Sequence, residues 1–523
     1  MSGFGRVLGL RHARVLAIVA VVLAGVLPVG KAQAAPSQAD CDGRANNTQQ
    51  KMLECMRVGQ VRAHQAALQA IADANGGNRF AGLSGHNESV DYVVDVLEAA
   101  GWDVSLQEFD YTAYRELGPS GLQQISPNAR TYVEGTDFGV IDQSDPGDRT
   151  AAVTNVDLKF GLGNTSDSGC EAADFAGFPA GNIALLQRGV CTFELKAENA
   201  AAAGATGIVI FNQGNTPDRM GIPPVTLTAN NTSGIPVIGI TYPLGEELAH
   251  TPGLVMRVFA NTERMVLPTA NVIAERRGTN DDDVVMAGAH LDSVLAGPGI
   301  NDNGSGSAVL LEVAQQLAHV KLQNTVRLAW WTAEESGLVG STHYVNSLDE
   351  EELGRIGLYM NFDMVGSPNY IFMTQDADQS SFPGAGIPPG STAIEDLFES
   401  FYTMKGEPYD DAAFDGRSDY RAFMLANIPS GGLFTGAEVP KTAEQVGIWG
   451  GTLGAQFDPC YHAACDTFAN NNNHALAVNA DLIAFAVLTY AYSTQSVNGV
   501  PGKKMPSALS LPAPAGSRGT FVP

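Results

Sequence analysis

Acidic and imidazole side chains stand at the ends of three apolar runs in the second half of the chain. The run VVMAGAHLDS ends in His290 and Asp292, TVRLAWWTAEES ends in Glu334 and Glu335, and GLYMNFDMVG ends in Asp363. Imidazole nitrogens and carboxylate oxygens are ligands that zinc takes in proteins, and carboxylates also act as general bases. Because the carboxyl ends of parallel strands meet at one crevice, we expect these side chains to lie close together.

Two loops add further candidate ligands. The glycine-rich loop GPGINDNGSGSAV presents Asp302 before a helix, and FDPCYHAACDT holds His462 between two cysteines. A lone histidine or a lone pair of glutamates is usually structural or solvated, but LAWW is too apolar for a surface strand. Several acids at successive strand ends are costly unless a cation neutralises them. The mixed nitrogen and oxygen set suits zinc, and it is large enough for two ions if one carboxylate bridges them.

The elements that must position these residues alternate between strands and helices from about Thr269 onward. Between the apolar runs, residues Ser305 to Val320 carry apolar side chains at helical spacing. This alternation predicts an α/β fold, with a mainly parallel, mixed sheet sandwiched by helices. Near the start of the chain, a helical stripe that includes Val90 and Leu97 precedes the strand-like WDVSLQEF, and both belong to the same predicted domain.

A second domain is expected between about residues 130 and 265, since a chain of 523 residues exceeds what one core usually takes up. There, short strands are separated by Gly, Asn, Asp and Pro, as in GNIALLQRGVCTFELKAENAAAAGATGIVIFN. The segment contains a single histidine, His250, and therefore no histidine cluster. We therefore expect a β-rich insert that does not carry the chemistry.

Charge and the first residues indicate an exported protein. The chain has 56 acidic and 30 basic residues and a formal charge of -26, which argues against nucleic-acid binding and against docking on anionic lipid. Arg6, Arg11 and Arg14 precede a short apolar run and an A-x-A sequence ending at Ala34, a pattern typical of a secretory signal peptide over residues 1–34. The run is shorter than a membrane-spanning helix needs. We expect cleavage near Ala34 and a secreted monomer without a membrane anchor.

Six cysteines form three pairs of near neighbours in sequence, Cys41 with Cys55, Cys170 with Cys191, and Cys460 with Cys465. Export favours disulfides, and a zinc–thiolate site is disfavoured because no C-x-x-C occurs. The sequence alone leaves the connectivity open.

The last residues, 498–523, are rich in Pro, Ser and Gly and poor in large apolar side chains. This composition predicts a flexible C-terminal tail. We also expect the tail to be removable and to restrain activity.

Seven motifs, GAHLDS, GPGINDNGSGSA, WWTAEESGLVGS, LYMNFDMVGSPN, FDGRSDY, GGLFTGAE and FDPCYHAACD, closely resemble those of secreted bacterial zinc aminopeptidases of the M28 family, leucine-type enzymes in particular. The match runs from about residue 267 to 490 in family order, and residues 131–265 resemble a protease-associated (PA) domain. The resemblance implies a zinc exopeptidase fold with an inserted PA domain. Residues 35–130 would open the peptidase domain and residues 266–497 would complete it.

The resemblance also implies two zinc ions per chain and a role for each candidate ligand. His290 and Asp363 would hold one ion, Glu335 and His462 the other, and Asp302 would bridge both. Asp292 would orient the imidazole of His290 from outside the metal shell.

Catalysis and specificity follow from the same resemblance. Glu334 would be the general base, and Tyr461 would donate a hydrogen bond to the developing oxyanion, unless it only packs beside a disulfide. Phe434 would favour an apolar first residue of the substrate, although it could equally be core. Arg417 would help wall the specificity pocket, or it forms only a local salt bridge with a neighbouring aspartate.

The expected activity is removal of N-terminal residues, Leu-like ones first, from peptides with a free N-terminus. The alternatives are a carboxypeptidase or dipeptidase of related type, a single-zinc glutaminyl cyclase, and a non-enzymatic PA-domain binding protein. M20-type peptidases carry a lid domain after the Glu-Glu pair, whereas the insert here precedes the metal cluster. The full ligand set and Glu334 argue against the other two.

Overall fold

We describe a computed structural model of the chain over residues 36–229, 231–384 and 386–521. The predicted signal peptide, residues 1–34, lies outside the described residues. The strands are β1 (Asp103–Glu116), β2 (Gly121–Ser126), β3 (Arg130–Thr131), β4 (Phe138–Val140), β5 (Gly147–Asn155), β6 (Ile183–Gln187), β7 (Gly207–Phe211), β8 (Val237–Ile240), β9 (Val255–Ala260), β10 (Thr262–Arg276), β11 (Asn280–His290), β12 (Asn324–Trp331), β13 (Ile356–Phe362), β14 (Met373–Gln375), β15 (Asp410–Ala412) and β16 (Ser430–Phe434).

The α-helices of the described residues are α1 (Gln38–Gly43), α2 (Gln49–Cys55), α3 (Val58–Ala74), α4 (Ser84–Ala99), α5 (Phe193–Ala202), α6 (Tyr242–Ala249), α7 (Gly304–Leu317), α8 (Val339–Ser347), α9 (Glu350–Arg355), α10 (Ser391–Lys405), α11 (Tyr420–Leu425), α12 (Ala443–Trp449), α13 (Asn473–Tyr492) and α14 (Gln495–Asn498).

The first sheet has the strand order β1-β10-β12-β11-β13-β16-β14-β15. Its centre, from β12 to β16, is parallel, whereas β10 pairs antiparallel with both β1 and β12, and β14 pairs antiparallel with β16. Every residue of β12 and β13 is buried, as expected for strands covered on both faces. The predicted α/β fold with a mixed, mainly parallel sheet is confirmed.

Alternation along the central strands divides the core into two layers. Trp330 packs with α3, α4, α7 and α13 on one face, and Trp331 packs with Tyr344 of α8 and Phe423 of α11 on the other. Helix α13 is apolar and long enough to span a membrane, but 83% of its apolar window is buried inside the protein, so it serves as a core helix.

The second sheet has the order β3-β2-β9-β5-β6-β7-β8-β4 and packs against α5 and α6. By strand membership the insert spans residues 121–260, so it begins before the predicted boundary at 131 and ends before the one at 265. Disulfides join Cys41 to Cys55, Cys170 to Cys191, and Cys460 to Cys465.

The C-terminal segment, predicted as a flexible tail, is instead packed against the first domain. Met505 is buried in the main core, and the backbone N–H of Leu509 donates to the Gln49 side chain at 2.7 Å. Further along, the N–H of Thr520 donates to Asp410 at 2.9 Å. The correction has a physical reason, since a segment too polar to form its own core can still bind to one that already exists.

Candidate metal centre

Three parallel strands deliver the predicted residues to one edge of the first sheet. His290 is the last residue of β11, Asp363 directly follows β13, and the two glutamates follow β12 after a short turn. Ala333, which precedes that pair, has φ +51°. Non-glycine residues seldom adopt this left-handed conformation, and where they do the local strain often marks a functional turn.

Asp302 is positioned by a second loop rather than by its own strand. The backbone N–H groups of Asn301 and Asp302 donate to the two carboxylate oxygens of Asp466, at 2.9 and 3.0 Å. The Asn301 side chain donates to Asp458 at 2.6 Å. These contacts fix the loop just before α7, which Asn303 caps through its side chain.

His462 lies in the loop closed by the disulfide between Cys460 and Cys465. Its own φ is +54°, and 41% of its side chain is exposed. The disulfide and the left-handed backbone together turn the imidazole toward the strand ends.

The carboxylate of Asp302 stands between the two histidines. Its Oδ1 lies 3.2 Å from Nε2 of His290, and its Oδ2 lies 3.3 Å from Nε2 of His462. On the outer sides, His290 Nε2 is 3.2 Å from Asp363 Oδ1, and His462 Nε2 is 2.9 Å from Glu335 Oε2. The arrangement is two adjacent groups of ligand atoms that share one carboxylate.

The donor set fits zinc. One ligand atom from each of His290, Glu334 and Asp363 lies within 4.8 Å of the others, and the same holds for Asp302, Glu335 and His462. These atoms are imidazole nitrogens and carboxylate oxygens, as zinc requires. Oε1 of Glu335 is buried and has no hydrogen-bond partner among the described residues. Such an unpaired oxygen is rare in a protein interior, and it is expected for a carboxylate that binds a cation.

Burial and crowding shift the protonation of the whole group. Burial disfavours the charged form of His290, but the carboxylates of Asp363 and Glu334 outweigh it and raise its pKa well above the ordinary value. The pKa of His462 rises to about 10, because Asp302 and Glu335 outweigh its burial. Burial, together with the charge of Asp302, raises the pKa of Glu335 to about 7. Protons and a divalent cation therefore compete for the same atoms.

Glu334 and its neighbour Glu335 lie at different positions relative to the candidate metal ligands. Its Oε2 is 4.0 Å from His290 Nε2, and burial raises its pKa well above the ordinary value. The N–H groups of Glu334 and Glu335 both donate to Asp292, at 3.1 and 3.3 Å. The Asp292 carboxylate is 3.7 Å from His290 Nδ1, while its backbone carbonyl is nearer, at 3.2 Å. In this geometry the carboxylate of Asp292 holds the two glutamates, and its carbonyl faces the imidazole.

Comparison with known proteins places this geometry in a family. Residues 271–487 match the model of peptidase family M28, and residues 152–248 match that of the PA domain. An aminopeptidase of Pseudomonas aeruginosa is 51% identical over 444 residues, which cover 85% of this chain and 83% of that protein. The chain belongs to peptidase family M28.

Other relatives of this M28 peptidase agree. Leucine aminopeptidase 2 of Trichophyton rubrum is 40% identical over 464 residues, covering 87% of this chain and 88% of that one. The solved aminopeptidase of Aneurinibacillus sp. strain AM-1 has 26% identity and a TM-score of 0.65 over 89% of this chain and all of its own. A zinc aminopeptidase from Bacillus subtilis has 26% identity and a TM-score of 0.53, over 83% of this chain and 95% of its own. The M28 peptidase is a metallo-aminopeptidase with an inserted PA domain.

A cavity of about 500 Å³ opens onto the metal centre of the M28 peptidase. Glu334, Asp363 and His462 are among the residues that line it. Phe434 also lines it, together with Phe521 from the C-terminal segment, and both rings pack against the same apolar cluster. Phe434 therefore faces the cavity, where the sequence could not distinguish a pocket residue from a core residue.

Tyr461 and Arg417 line the same cavity and contact each other. The ring of Tyr461 stacks on His462 with centroids 3.8 Å apart, and its hydroxyl accepts a hydrogen bond from Arg417 Nη2 at 3.3 Å. Arg417 Nη1 pairs with Glu438 at 2.8 Å. The salt bridge of Arg417 is thus with Glu438 rather than with a neighbouring aspartate of its own motif.

Sequence reasoning missed two residues that support the centre of the M28 peptidase. Arg79 is fully buried and donates to the carbonyls of Pro298 and Gly299, at 2.8 and 2.6 Å, in the loop that leads to Asp302. Nothing near Arg79 in sequence signals this contact. Asp419 is also buried, and its charge interacts with His290 and Asp363; the signal was its place in FDGRSDY.

Proposed function

We propose that this M28 aminopeptidase holds two zinc ions and removes N-terminal Leu-like residues from peptides outside the cell. The observation that carries the proposal is the position of Asp302, with one carboxylate oxygen at hydrogen-bond distance from each histidine. A carboxylate placed in this way supports a bridge between two ions rather than a single-zinc site.

Each ion would have its own ligands. His290 and Asp363 would hold one, Glu335 and His462 the other, and Asp302 would complete both. Zinc bound there would supply an acidic water near neutral pH and would polarise the carbonyl of the scissile bond.

The residues around the ions would move the proton and stabilise charge. Glu334 faces the cavity with a raised pKa, which suits a base that takes a proton from the attacking water and returns it to the leaving amine. Tyr461 faces the same cavity and would donate a hydrogen bond to the oxyanion. Arg417 would hold the Tyr461 hydroxyl in place.

The preference for Leu-like residues is supported by apolar residues that line the cavity. Phe434 packs against the apolar cluster that contains Phe457, and it lines the same cavity as the candidate ligands. Burying a leucine side chain against Phe434 contributes about 2 kcal/mol relative to leaving it in water. A charged first residue would gain no such contribution.

Hydrolysis of leucyl-p-nitroanilide, together with metal analysis, tests the proposal. We expect two zinc ions per chain, cleavage of the free amine substrate, loss of activity with a chelator, and no cleavage of the N-acetylated substrate. One zinc per chain at full activity, or cleavage of the N-blocked peptides from their C-terminus, would contradict it.

Export is part of the same proposal. The basic and apolar pattern of residues 1–34 and the three disulfides support it. Intact mass of the protein recovered from culture medium should correspond to a chain that begins near Ala35, and light scattering should give the mass of a monomer.

A further inference from the structure

A second group of carboxylates lies beside the substrate cavity and plays no part in the proposed zinc centre. Its members come from the loop after β14, from helix α10 and from strand β15, and we name it the second acidic cluster: Asp376, Asp378, Glu395, Glu399 and Asp411. Gln375 and Ala412, the sequence neighbours of two members, line the cavity. Since side chains alternate along a strand, Asp411 is on the face of β15 that points away from the cavity.

The carboxylates of this cluster converge. One oxygen from each of Asp376, Asp378 and Glu395 lies within 4.8 Å of the others, and the same is true of Glu395, Glu399 and Asp411. Glu395 thus joins two groups into one. Asp376, Glu395 and Asp411 are at most 3% exposed, so water does not screen the repulsion among them.

No lysine, arginine or histidine in the part of the chain that the structure describes forms an ion pair that offsets the charge of the second acidic cluster. Glu395 and Glu399 are one helical turn apart on α10, a spacing at which like charges destabilise a helix. Burial and the neighbouring carboxylates also raise the pKa of Glu395 to about 9 and that of Glu399 to about 7.

An independent observation points to a missing ligand. Asp411 is fully buried, and its Oδ2 accepts hydrogen bonds from the hydroxyls of Ser380 and Ser381. No hydrogen bond of ordinary geometry reaches its Oδ1 among the described residues, although the carboxylate belongs to the converging group. Burial raises the pKa of this carboxylate, and the Ser517 side chain is near enough to offset part of that rise. A buried carboxylate oxygen without a donor is rare, and a cation at the centre of the cluster would satisfy it.

Backbone N–H groups of the loop after β14 donate hydrogen bonds to two carboxylates of the second acidic cluster. Backbone N–H groups of Ser380, Ser381 and Phe382 donate to Asp376, at 2.9, 3.1 and 2.6 Å. Oε2 of Glu395 accepts from the N–H groups of Ala377 and Asp378, at 3.0 and 2.9 Å. These bonds hold the carboxylates of Asp376 and Glu395 in fixed orientations.

We propose that the second acidic cluster binds one calcium ion, which fastens the loop after β14, helix α10 and strand β15 behind the cavity wall. All the side-chain donors are oxygens, which suits a hard cation and disfavours zinc. Calcium takes about six to eight oxygen ligands in flexible geometry, and five carboxylates with nearby hydroxyls can supply them. Magnesium, which requires a tighter octahedron, binds more weakly.

Calorimetric titration of calcium chloride into the zinc-loaded, full-length protein tests the proposal. We expect one site with a Kd between about 10⁻⁶ and 10⁻³ M, an unchanged zinc content, and a higher thermal midpoint with calcium than with magnesium. Two variants on accessible members of the cluster, Asp378→Asn and Glu399→Gln, should each weaken binding at least about tenfold, as the loss of a charged ligand does. Glu350→Gln, a matched change at an exposed glutamate of α9, should leave it unchanged.

Two results would overturn the proposal. One is the absence of binding heat up to about 10 mM calcium, well above the weakest affinity expected; the carboxylates would then be neutralised by protons. The other is calcium binding that neither cluster variant weakens, which would place the ion elsewhere. Because Asp378 is exposed and Glu399 is only part-buried, both variants should fold, and their unfolding midpoints in calcium-free buffer check this.

Discussion

Glu334 and Glu335 are adjacent in the chain, and we propose different roles for them, general base and metal ligand. A carboxylate oxygen of Glu334 lies near His290 and Asp363, while one of Glu335 lies near Asp302 and His462. Both peptide N–H groups are held by Asp292, so the pair is fixed as a unit. The sequence predicted that the side chains after β11, β12 and β13 lie close together, because strand ends in a parallel sheet converge.

The first prediction concerns Glu334. Replacement by glutamine keeps the shape but removes the base, so kcat should fall about 10²- to 10⁴-fold while two zinc ions remain bound. Metal analysis and steady-state kinetics measure both. The matched change Glu335→Gln should instead lower zinc content, since its Oε2 is 2.9 Å from His462 Nε2. If Glu334→Gln loses zinc and Glu335→Gln does not, the roles are reversed.

The second prediction concerns Tyr461. Tyr461→Phe removes the hydroxyl that would stabilise the oxyanion but keeps the ring that stacks on His462. We expect kcat to fall about 10²-fold with little change in KM, because the hydrogen bond would form only in the transition state. A change confined to KM would assign Tyr461 to substrate binding instead.

Arg417→Lys separates support from direct catalysis. Lysine keeps the charge opposite Glu438 but cannot bind both Glu438 and the Tyr461 hydroxyl with a planar fork. A loss of kcat in the wild-type background that disappears in the Tyr461→Phe background would show that Arg417 acts through Tyr461.

At the scale of elements, the local sequence pattern predicted the features that depend on neighbouring residues in the chain, namely the strands, the helices and their burial. The alternation of apolar strands with helices gave the central parallel sheet, and the apolar run of β12 indicated its burial on both faces. Arg79 could not be found in this way, because its partners Pro298 and Gly299 are more than two hundred residues away in the chain. The C-terminal segment was mistaken for a flexible tail, because composition measures whether a segment can form a core and not whether it can dock on one.

The third prediction concerns that segment. A chain ending at Ala515 keeps Met505 and Leu509 packed but loses Thr520 and Phe521, which lies in the cavity wall. If the segment restrains activity, as we expect, kcat/KM for leucyl-p-nitroanilide should rise because the cavity opens. Phe521→Ala in the full-length chain is the matched control for the side chain alone. Equal rates in all three proteins would exclude restraint.

At the scale of the whole molecule, the acidic excess is partly concentrated in buried groups. The formal charge of -26 includes the carboxylates of the zinc centre and of the second acidic cluster, which are costly without cations. The sequence showed the excess and the candidate residues of the metal centre, of which His290, Glu335 and Asp363 follow strand ends while Asp302 and His462 lie in loops. It did not show the second acidic cluster, because α10 and β15 meet the loop after β14 only in the folded chain.

The fourth prediction concerns stability against acid and depends on His86 in α4. This histidine is fully buried, and burial lowers its pKa to about 4 from an ordinary 6.5. The unfolded chain therefore binds one more proton than the folded chain between these two values, so stability should be lost as the pH falls from 6.5 to 4. A shift of this size corresponds to roughly 3 kcal/mol of unfolding free energy.

Urea unfolding at pH 7 and at pH 4 measures the effect as a difference between proteins. His86→Asn cannot take up a proton, so it should lose roughly 3 kcal/mol less than the wild type between these pH values. His319→Asn, a matched change at an exposed histidine, is the control and should behave as the wild type does. Because the three proteins share all their other titratable groups and the same metal ligands, the difference isolates His86. Parallel pH profiles for wild type and His86→Asn would mean that the folded protein admits the charged imidazole, and that Asp292 rather than burial governs its protonation.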